Sequence, residues 1–241
     1  MTLLEVKGIS KYFGGVRALK DLSFDVIQGE FLGLIGPNGA GKTTLFNIIC
    51  GEYKPNHGYI KFKGENIISL QPYDICKKGI SRTYQLVKPF LNLTVFQNAL
   101  VGALFGRDKS DSRKAVEFAE EALKLVGLQD KRDVLVKHLS TLDRKKVELA
   151  RAVATNPILL LLDEPVAGLN PKETEEVLTI INEIHKNDVT IFMIEHDMKT
   201  IMSYSNRIIV LHNGEKIAEG TPREVASNNQ VIEAYLGAPS C

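Results

Sequence analysis

The stretch Gly36-Pro37-Asn38-Gly39-Ala40-Gly41-Lys42-Thr43 decides the fold of this 241-residue chain. It fits the phosphate-loop pattern GxxxxGK[ST], in which the backbone N–H groups of a glycine-rich turn surround phosphate oxygens. Lys42 would place its ammonium against the β and γ phosphates of a nucleotide, and the Thr43 hydroxyl would bind Mg²⁺. An apolar run at residues 31–35 precedes the loop, and an apolar helical pattern begins near Thr44. This context favours a nucleotide site over an ordinary glycine-rich turn.

The second motif is acidic. Asp163 and Glu164 stand next to each other directly after a strongly apolar run at residues 158–162. Such a run is typical of a central parallel strand that is buried on both faces. Carboxylates at the C-terminal ends of parallel strands face the ligand crevice. Asp163 is therefore expected to hold Mg²⁺, and Glu164 to orient and deprotonate an attacking water. Without the phosphate loop, the pair would be equally consistent with a polar strand end.

The remaining pattern predicts an α/β fold with an inserted helical segment. Apolar strand-like runs occur at residues 3–6, 31–35, 59–62, 158–162, 189–194 and 207–211. Helical patterns lie between several of them, which favours a largely parallel sheet. The segment 86–156 has helical patterns instead, at 111–126 and from Ser140 to Pro157, where Ser140 and Asp143 have capping-box spacing.

We therefore expect one domain over residues 1–241. Its core would be a phosphate-loop NTPase of the RecA-like type with a mixed sheet, formed by residues 1–86 and 157–241. A helical subdomain would occupy about residues 87–156.

Composition excludes several classes of protein. The net charge of +1 argues against a nucleic-acid partner, which would require a basic excess. Three cysteines without CxxC spacing argue against a disulfide scaffold or a zinc site. The first residues lack the basic and apolar blocks of a signal peptide, so a cytosolic location is expected.

Residues 89–106 carry no charge and reach the length at which a membrane span must be considered. Three amides, Asn92, Gln97 and Asn98, lie within this stretch and would be costly in a lipid bilayer. A membrane-spanning helix is therefore rejected. We interpret the stretch as partly core and partly a docking surface.

Lys42 and Asp163 lie too far apart for a small kinase or a compact GTPase, and the helical segment between them points to one group. Over essentially its whole length the chain resembles the ATPase subunit of an ATP-binding cassette (ABC) transporter. Four further motifs carry the resemblance. They are Gln85 at the Q-loop position, Leu139-Ser140 through Arg151-Ala152 as the signature helix, Ala167-Gly168-Leu169-Asn170-Pro171 as the D-loop, and Glu195-His196-Asp197 as the switch-histidine loop.

The resemblance implies that two cassettes close head to tail over two ATP molecules with Mg²⁺. Glu164 would be the base, His196 would bond the γ phosphate and the water, and Gln85 would sense Mg²⁺. An isolated histidine is more often a structural or surface residue, but its position after a strand favours the catalytic role. The expected nucleotide-binding set is Phe13 (adenine), Gly36, Pro37, Asn38, Gly39, Ala40, Gly41, Lys42, Thr43 and Thr44, and the expected metal set is Thr43, Gln85 and Asp163. Tyr12 is the alternative adenine contact, and a stacked ring would discriminate poorly between ATP and GTP.

Residues Ser140, Thr141, Leu142, Asp143 and Asn170 would contact the partner cassette or its nucleotide. The family signature usually reads LSGGQ, whereas this chain has Leu139-Ser140-Thr141-Leu142-Asp143. Both glycines are absent, and a Cβ obstructs the approach of phosphate to the backbone. Weaker ATP-driven dimerisation is therefore expected. Asn170, where aspartate is commoner, also suits a helix N-cap, with Pro171 and Glu173 behind it.

Segments 88–95, 167–170 and 232–237 resemble subunits that serve branched-chain amino-acid importers. The implied partners are a second cassette (identical or different), transmembrane permease subunits and an extracytoplasmic solute-binding protein. The implied location is the cytoplasmic face of the membrane, as a peripheral subunit. Two alternatives stay open: a cytosolic ABC ATPase of iron–sulfur assembly, and a nucleotide-binding scaffold without hydrolysis. The transported substrate is not encoded in this chain.

Overall fold

The computed structural model describes residues 1–84, 89–107 and 111–236 and divides into two compact units. The first unit joins residues 1–72 to the segment that begins at Thr190. The second unit is residues 73–189, and the predicted helical subdomain lies inside it.

The first unit holds eight of the described strands and four of the described helices. The strands are β1 (Thr2–Phe13), β2 (Val16–Ile27), β3 (Phe31–Ile35), β4 (His57–Phe62), β5 (Glu65–Asn66), β8 (Thr190–Ile194), β9 (Arg207–His212) and β10 (Glu215–Gly220). The helices are α1 (Lys42–Ile49), α7 (Met198–Tyr204), α8 (Pro222–Ala226) and α9 (Asn229–Leu236).

The elements that lie between β5 and β8 along the chain run from α2 to α6. They are α2 (Pro72–Lys78), β6 (Ile80–Arg82), α3 (Val95–Phe105), α4 (Ser112–Leu125), α5 (Thr141–Ala154), β7 (Leu159–Asp163) and α6 (Pro171–Lys186). Two short 3-10 turns, Gln129–Lys131 and Val136–His138, precede α5.

Parallel pairing in the first unit centres on β3, which lies between β8 and β9 and runs parallel to both. Every residue of β3 and β8 is buried, as expected for strands covered on both faces. Leu34 pairs with Ile194, so the chain leaves β3 and β8 at the same edge. The phosphate loop and the His196 loop therefore start side by side.

The predicted mixed sheet is confirmed: β3 pairs in parallel with β8 and β9, as expected, and β9 pairs antiparallel with β10. A second sheet that is wholly antiparallel was not expected. Strands β1, β2, β4 and β5 form a separate antiparallel sheet in the order β2-β1-β4-β5. Irregularities in the β1–β2 register interrupt the period-two alternation of apolar residues. That interruption hid most of β1 and all of β2 from the sequence pattern.

In the second unit, β6 and β7 pair in parallel, and Arg82 lies opposite Leu161. Helices α3, α4 and α5 pack on one another. Within residues 89–107 and 111–156 there is no strand, as predicted, and α4 and α5 occur at the predicted positions. A Cβ on Gly102 of α3 would lie 2.1 Å from the Arg151 carbonyl oxygen, so the backbones of α3 and α5 are close.

Two of the three amides of the uncharged stretch, Gln97 and Asn98, have structural roles in this helical packing. Asn98 is fully buried; its amide donates to the carbonyls of Phe90 (3.1 Å) and Thr94 (2.9 Å), and its oxygen accepts the Phe90 N–H (2.9 Å). Thr94 and Gln97 form a capping box at the start of α3. Among the described residues, no helix combines the length and apolar character needed to cross a membrane.

Candidate functional site

The phosphate loop connects β3 to α1 and lies against neighbouring backbone. A Cβ on Gly36 would be 2.1 Å from the Leu211 carbonyl oxygen, and one on Gly41 would be 2.5 Å from the Ala18 carbonyl oxygen. Gly41 is also the N-cap of α1, and its φ of 103° is one that residues with a side chain rarely adopt. These two glycines are therefore required to seat the loop at the start of the helix.

Lys42 is the first residue of α1, and its side chain folds back over the loop. The Nζ atom donates to the carbonyl oxygens of Gly36 (2.7 Å) and Pro37 (3.0 Å), and the residue is 6% exposed. The ammonium is therefore held at the concave side of a loop whose helix begins there. A helix N-terminus together with a cation favours phosphate.

His196 and Asp197 follow β8 at the edge where the phosphate loop begins. His196 is exposed, and its backbone N–H donates to the Glu195 carboxylate at 3.3 Å. The Asp197 carboxylate caps α7 by accepting the Thr200 N–H at 2.9 Å. The hydrogen bond from the Thr200 hydroxyl lowers the pKa of Asp197. This cap fixes the short loop that carries His196.

In the second unit, Asp163 ends β7 and forms a buried ion pair with Arg82 of β6. The Arg82 Nη2 atom donates to Asp163 Oδ2 at 2.7 Å, and the two side chains are 4% and 1% exposed. Parallel pairing of β6 with β7 brings these side chains together. Sequence reasoning identified Asp163 but missed Arg82, because nothing in the sequence marks its partner.

Glu164 follows Asp163 and has a left-handed backbone conformation, with φ of 50°. That conformation is uncommon for glutamate and costs about 1 kcal/mol or more. The residue is 8% exposed, and its carbonyl oxygen accepts the Ala167 N–H at 3.2 Å. Strain of this kind concentrates at functional positions, which agrees with the predicted role of Glu164.

The signature turn at the start of α5 differs from the expected capping box. Ser140 is the N-cap and accepts the Asp143 N–H at 3.1 Å, as predicted. The Asp143 carboxylate does not return a bond to the Ser140 backbone; it accepts from Lys131 Nζ at 2.6 Å. A nearby ammonium outcompetes a neutral N–H for a carboxylate, so the reciprocal half of the prediction was wrong.

The D-loop residue Asn170 is confirmed as a helix cap. Its side chain accepts a hydrogen bond from the Glu173 N–H, and the Asn170 N–H donates one to the Glu173 carboxylate. Pro171 is the first helical residue of α6. Its predicted contact with a partner cassette stays a prediction.

Gln85 lies outside the described residues, but the residue before it is anchored to the signature helix. The Tyr84 N–H donates to Glu148 Oε1 of α5 at 3.1 Å. Burial raises the pKa of the Glu148 carboxyl, against the opposing effects of the Tyr84 hydrogen bond and of the nearby Arg151 and Lys145. Glu148 therefore links the start of the Q-loop segment to α5.

This raised pKa gives a testable pH dependence. Glu148 is harder to ionise in the folded chain, so its contribution to stability is present below its ordinary pKa and is lost as pH rises through the folded value. Glu148→Gln keeps an acceptor for Tyr84 and cannot ionise. We expect its free energy of unfolding, relative to wild type, to increase from pH 5 to pH 8 in urea titrations. Glu117→Gln, on the exposed face of α4, is the control, and parallel pH curves for Glu148→Gln and wild type would contradict the assignment.

Phe13 belongs to a small cluster of rings and cations at the end of β1. Its ring is 43% exposed and meets Tyr53 edge-on, with centroids 5.4 Å apart. Lys11 Nζ lies 5.0 Å from the Phe13 ring centroid and donates to the Lys54 carbonyl oxygen at 2.8 Å. Tyr12 instead contacts His57 and Arg17. Phe13 therefore has a braced ring with exposed surface, as an adenine platform requires.

Phe13→Leu should weaken nucleotide binding about tenfold, since base–aromatic stacking contributes ~1–3 kcal/mol. ATP and GTP should lose affinity alike because stacking requires only a flat face. Tyr53→Leu should have a smaller effect in the same direction. Equilibrium titration with both nucleotides measures these changes, and Tyr73→Leu, at an exposed position, is the control. Unchanged nucleotide affinity in Phe13→Leu would show that Phe13 does not contact the adenine.

Comparison with known proteins gives a consistent result over the whole chain. A family model described as ABC transporter matches residues 19–167, and one described as Branched-chain amino acid ATP-binding cassette transporter matches residues 215–239. The chain is 39% identical to the high-affinity branched-chain amino acid transport ATP-binding protein BraF of Pseudomonas aeruginosa, over 98% of both chains. It is also 39% identical to LivG of Escherichia coli K12, a protein with the same description, at the same coverage.

Solved structures give the same fold. The ADP conformation of MJ1267, an ATP-binding cassette of an ABC transporter, superposes with a TM-score of 0.89 at 32% identity, covering 99% of this chain and 100% of that one. The dimeric bacterial ABC transporter cassette MJ0796 superposes with a TM-score of 0.81 at 26% identity, covering 92% of this chain and 99% of that one.

Proposed function

Because this chain belongs to the ABC transporter family and is an ATP-binding cassette ATPase, we propose that it powers a branched-chain amino-acid importer. The observation that carries the proposal is the match of residues 215–239 to the branched-chain amino-acid cassette model, beyond the ABC transporter match at 19–167. Full-length similarity to BraF and LivG supports the same assignment.

The residues of the phosphate loop would bind the nucleotide, with Lys42 exchanging its carbonyl partners for phosphate oxygens. Thr43 and Asp163 offer hydroxyl and carboxylate oxygens, the donors that Mg²⁺ prefers. Bound Mg²⁺ would neutralise charge on the β and γ phosphates. Arg82 would hold the Asp163 side chain in one orientation, which supports its proposed role.

Glu164 would accept a proton from the attacking water as the water oxygen bonds to the γ phosphorus. The bond between that phosphorus and the bridging oxygen then breaks, which leaves ADP and phosphate. His196 would donate a hydrogen bond to the γ phosphate. The cap from Asp197 to α7 supports this role because it restricts the loop that carries His196.

A groove in the second unit supports docking of a permease. Its volume is about 270 Å³, and its lining includes Tyr84, Phe90, Phe105 and Arg151. Phe105 is 69% exposed and Phe90 is 48% exposed, while the Arg151 guanidinium lies 5.5 Å from the Phe90 ring centroid. We propose that a short cytoplasmic helix of the permease inserts an apolar residue between the rings and places a carboxylate against Arg151.

Phe105→Glu should therefore release the permease while leaving ATP affinity unchanged, because a charge replaces the most exposed apolar contact of the groove. Val116→Glu is the matched control, an exposed apolar residue on α4 away from the groove. Co-purification from detergent-solubilised membranes of the native host measures the effect. Equal permease recovery with both variants would exclude this groove as the docking site.

Deletion of the gene tests the function itself. High-affinity uptake of leucine, isoleucine and valine should fall, wild-type chain should restore it, and Lys42→Ala should not. A solute-binding protein and permeases encoded beside the gene would accompany this result. Unchanged uptake together with loss of iron–sulfur enzyme activity would favour the alternative, a cytosolic assembly ATPase.

A further inference from the structure

Helix α5 buries two adjacent lysines, Lys145 and Lys146, and neither has a role in the nucleotide chemistry described above. They are 7% and 6% exposed, which is unusual for lysine unless the ammonium is paired. The Lys146 ammonium forms an ion pair with Glu176 of α6. The Lys145 Nζ atom donates a hydrogen bond to the carbonyl oxygen of Pro165 at 3.0 Å. The two lysines therefore have different partners, and the partner of Lys145 lies directly after Glu164.

The backbone at Glu164 requires support from the residues around it. Its φ of 50° is left-handed, and the next residue is proline, which further restricts the backbone of the residue before it. A residue keeps such a conformation only where its surroundings fix it. Two backbone hydrogen bonds close the turn, from the Ala167 N–H to the Glu164 carbonyl oxygen (3.2 Å) and from the Leu169 N–H to the Val166 carbonyl oxygen (3.2 Å). Lys145 adds a charged side-chain donor to the carbonyl that lies between these two acceptors in the chain.

The hydrogen bond from Lys145 is well suited to hold this turn. Its donor is an ion, and a charge-assisted hydrogen bond is roughly twice as strong as a neutral one. Lys145 and Pro165 are both buried, which strengthens the bond further because little water competes for it. Burial raises the pKa of Glu148, one turn further along α5, and attraction by Lys145 is among the effects that oppose this rise. The Lys145 ammonium therefore lies near the Glu148 carboxylate as well as the Pro165 carbonyl.

We infer that Lys145 is a positioning residue for the proposed base: its hydrogen bond to the Pro165 carbonyl fixes the turn that orients Glu164 toward the attacking water. The inference rests on the proposed role of Glu164 and adds a residue of α5 to the groups that set the rate of hydrolysis. A general base acts only within hydrogen-bond reach of the proton that it accepts. A misplacement of about 1 Å costs roughly 100-fold in rate. Loss of the Lys145 ammonium should therefore slow hydrolysis without weakening nucleotide binding.

Steady-state kinetics of the full-length chain tests the effect on catalysis. Lys145→Met removes the ammonium and keeps a side chain of similar length. Its kcat for phosphate release should fall at least about tenfold, while the KM for ATP stays within about twofold because the phosphate loop is unchanged. Lys145→Arg keeps a charged donor and should lose less than about threefold in kcat. Lys146→Met is the matched control, because it removes an equally buried ammonium from the same helix and leaves the Pro165 hydrogen bond intact; its kcat should stay within about twofold of wild type.

Amide hydrogen exchange measures the turn itself, independently of hydrolysis. The peptide that covers residues 164–170 contains the N–H groups of Ala167 and Leu169, which close the turn. Its exchange should be at least about fivefold faster in Lys145→Met than in wild type or in Lys146→Met, because local opening exposes those N–H groups. Circular dichroism and urea titration verify that each variant is folded. Lys145→Gln takes the place of Lys145→Met if the latter does not fold.

A double-mutant cycle with Glu164→Gln separates positioning from a general loss of stability. Lys145→Met should lower the residual hydrolysis rate of Glu164→Gln by less than about twofold, because a positioning residue has no effect through a base that is absent. Independent contributions to the rate would multiply instead. Single-turnover hydrolysis of labelled ATP measures these slow rates.

Equal losses of kcat in Lys145→Met and Lys146→Met, or unchanged exchange of the 164–170 peptide, would overturn the inference and leave the proposed role of Glu164 intact. A multiplicative loss in the double-mutant cycle would overturn it as well. Failure of the proposed function has a different signature: Glu164→Gln itself would hydrolyse ATP at the wild-type rate, and the inference would fall with the base.

Discussion

Glu164→Gln should lower the steady-state rate of ATP hydrolysis by about 10² to 10⁴-fold, the range that a positioned general base contributes. Glutamine has nearly the same shape but cannot accept a proton from water. Affinity for ATP should stay within about twofold of wild type, because the phosphate-binding residues are unchanged. The readouts are phosphate release under saturating ATP and retention of labelled ATP on a filter.

Glu175→Gln, an exposed change on α6, is the control and should hydrolyse ATP at the wild-type rate. Because the signature turn is expected to weaken ATP-driven dimerisation, both variants are also compared in a background that carries Thr141→Gly and Leu142→Gly. Unchanged turnover in Glu164→Gln would reject Glu164 as the base, whereas an absence of hydrolysis in the wild-type chain as well would favour a nucleotide-binding scaffold.

Arg82→Leu should lower the free energy of unfolding by ~3–5 kcal/mol, the usual loss when one member of a buried ion pair is removed. The Asp163 side chain is 1% exposed and would lose the guanidinium that lies 2.7 Å away. Part of the loss would come from packing, since the Arg82 guanidinium lies 4.8 Å from the Tyr84 ring centroid. Urea denaturation followed by circular dichroism measures the effect.

The double variant Arg82→Leu with Asp163→Asn separates charge from packing. It should recover a large part of the lost stability, because a neutral amide is less costly to bury than a carboxylate that has lost the Arg82 ion pair. The double variant should not hydrolyse ATP, because Asp163 is a proposed Mg²⁺ ligand. A loss below about 1 kcal/mol in Arg82→Leu would mean that Asp163 does not depend on this pair.

Much of the fold was predictable where the signal is a short uninterrupted run. The buried strands β3, β7 and β8 are five-residue segments with at most one polar residue each, and the apolar runs predict their bounds to within one residue. The antiparallel sheet was largely missed because register irregularities break the alternation along β1 and β2. Strand β6 was missed because three residues carry no recognisable period.

In the proposed site too, features set by nearby residues were predictable and features set by distant contacts were not. Phosphate-loop spacing, the Asn170 cap and the Ser140 cap follow from residues within a few positions of one another, so the sequence by itself determined them. Pairing of Arg82 with Asp163 arises only because β6 and β7 lie side by side. Likewise, the ion pair of Lys131 with Asp143 joins residues 12 positions apart, so no local pattern predicts it.

The sequence alone therefore determined the phosphate-binding chemistry and revealed that the signature glycines are missing. Tertiary structure decided which charges compensate one another, and it turned Asp143 from an isolated carboxylate into one member of an ion pair. The physical reason is the separation along the sequence of the residues that interact. A helix cap or a phosphate loop is completed by near neighbours in the chain. The partner of a buried charge is chosen by which elements the fold packs together.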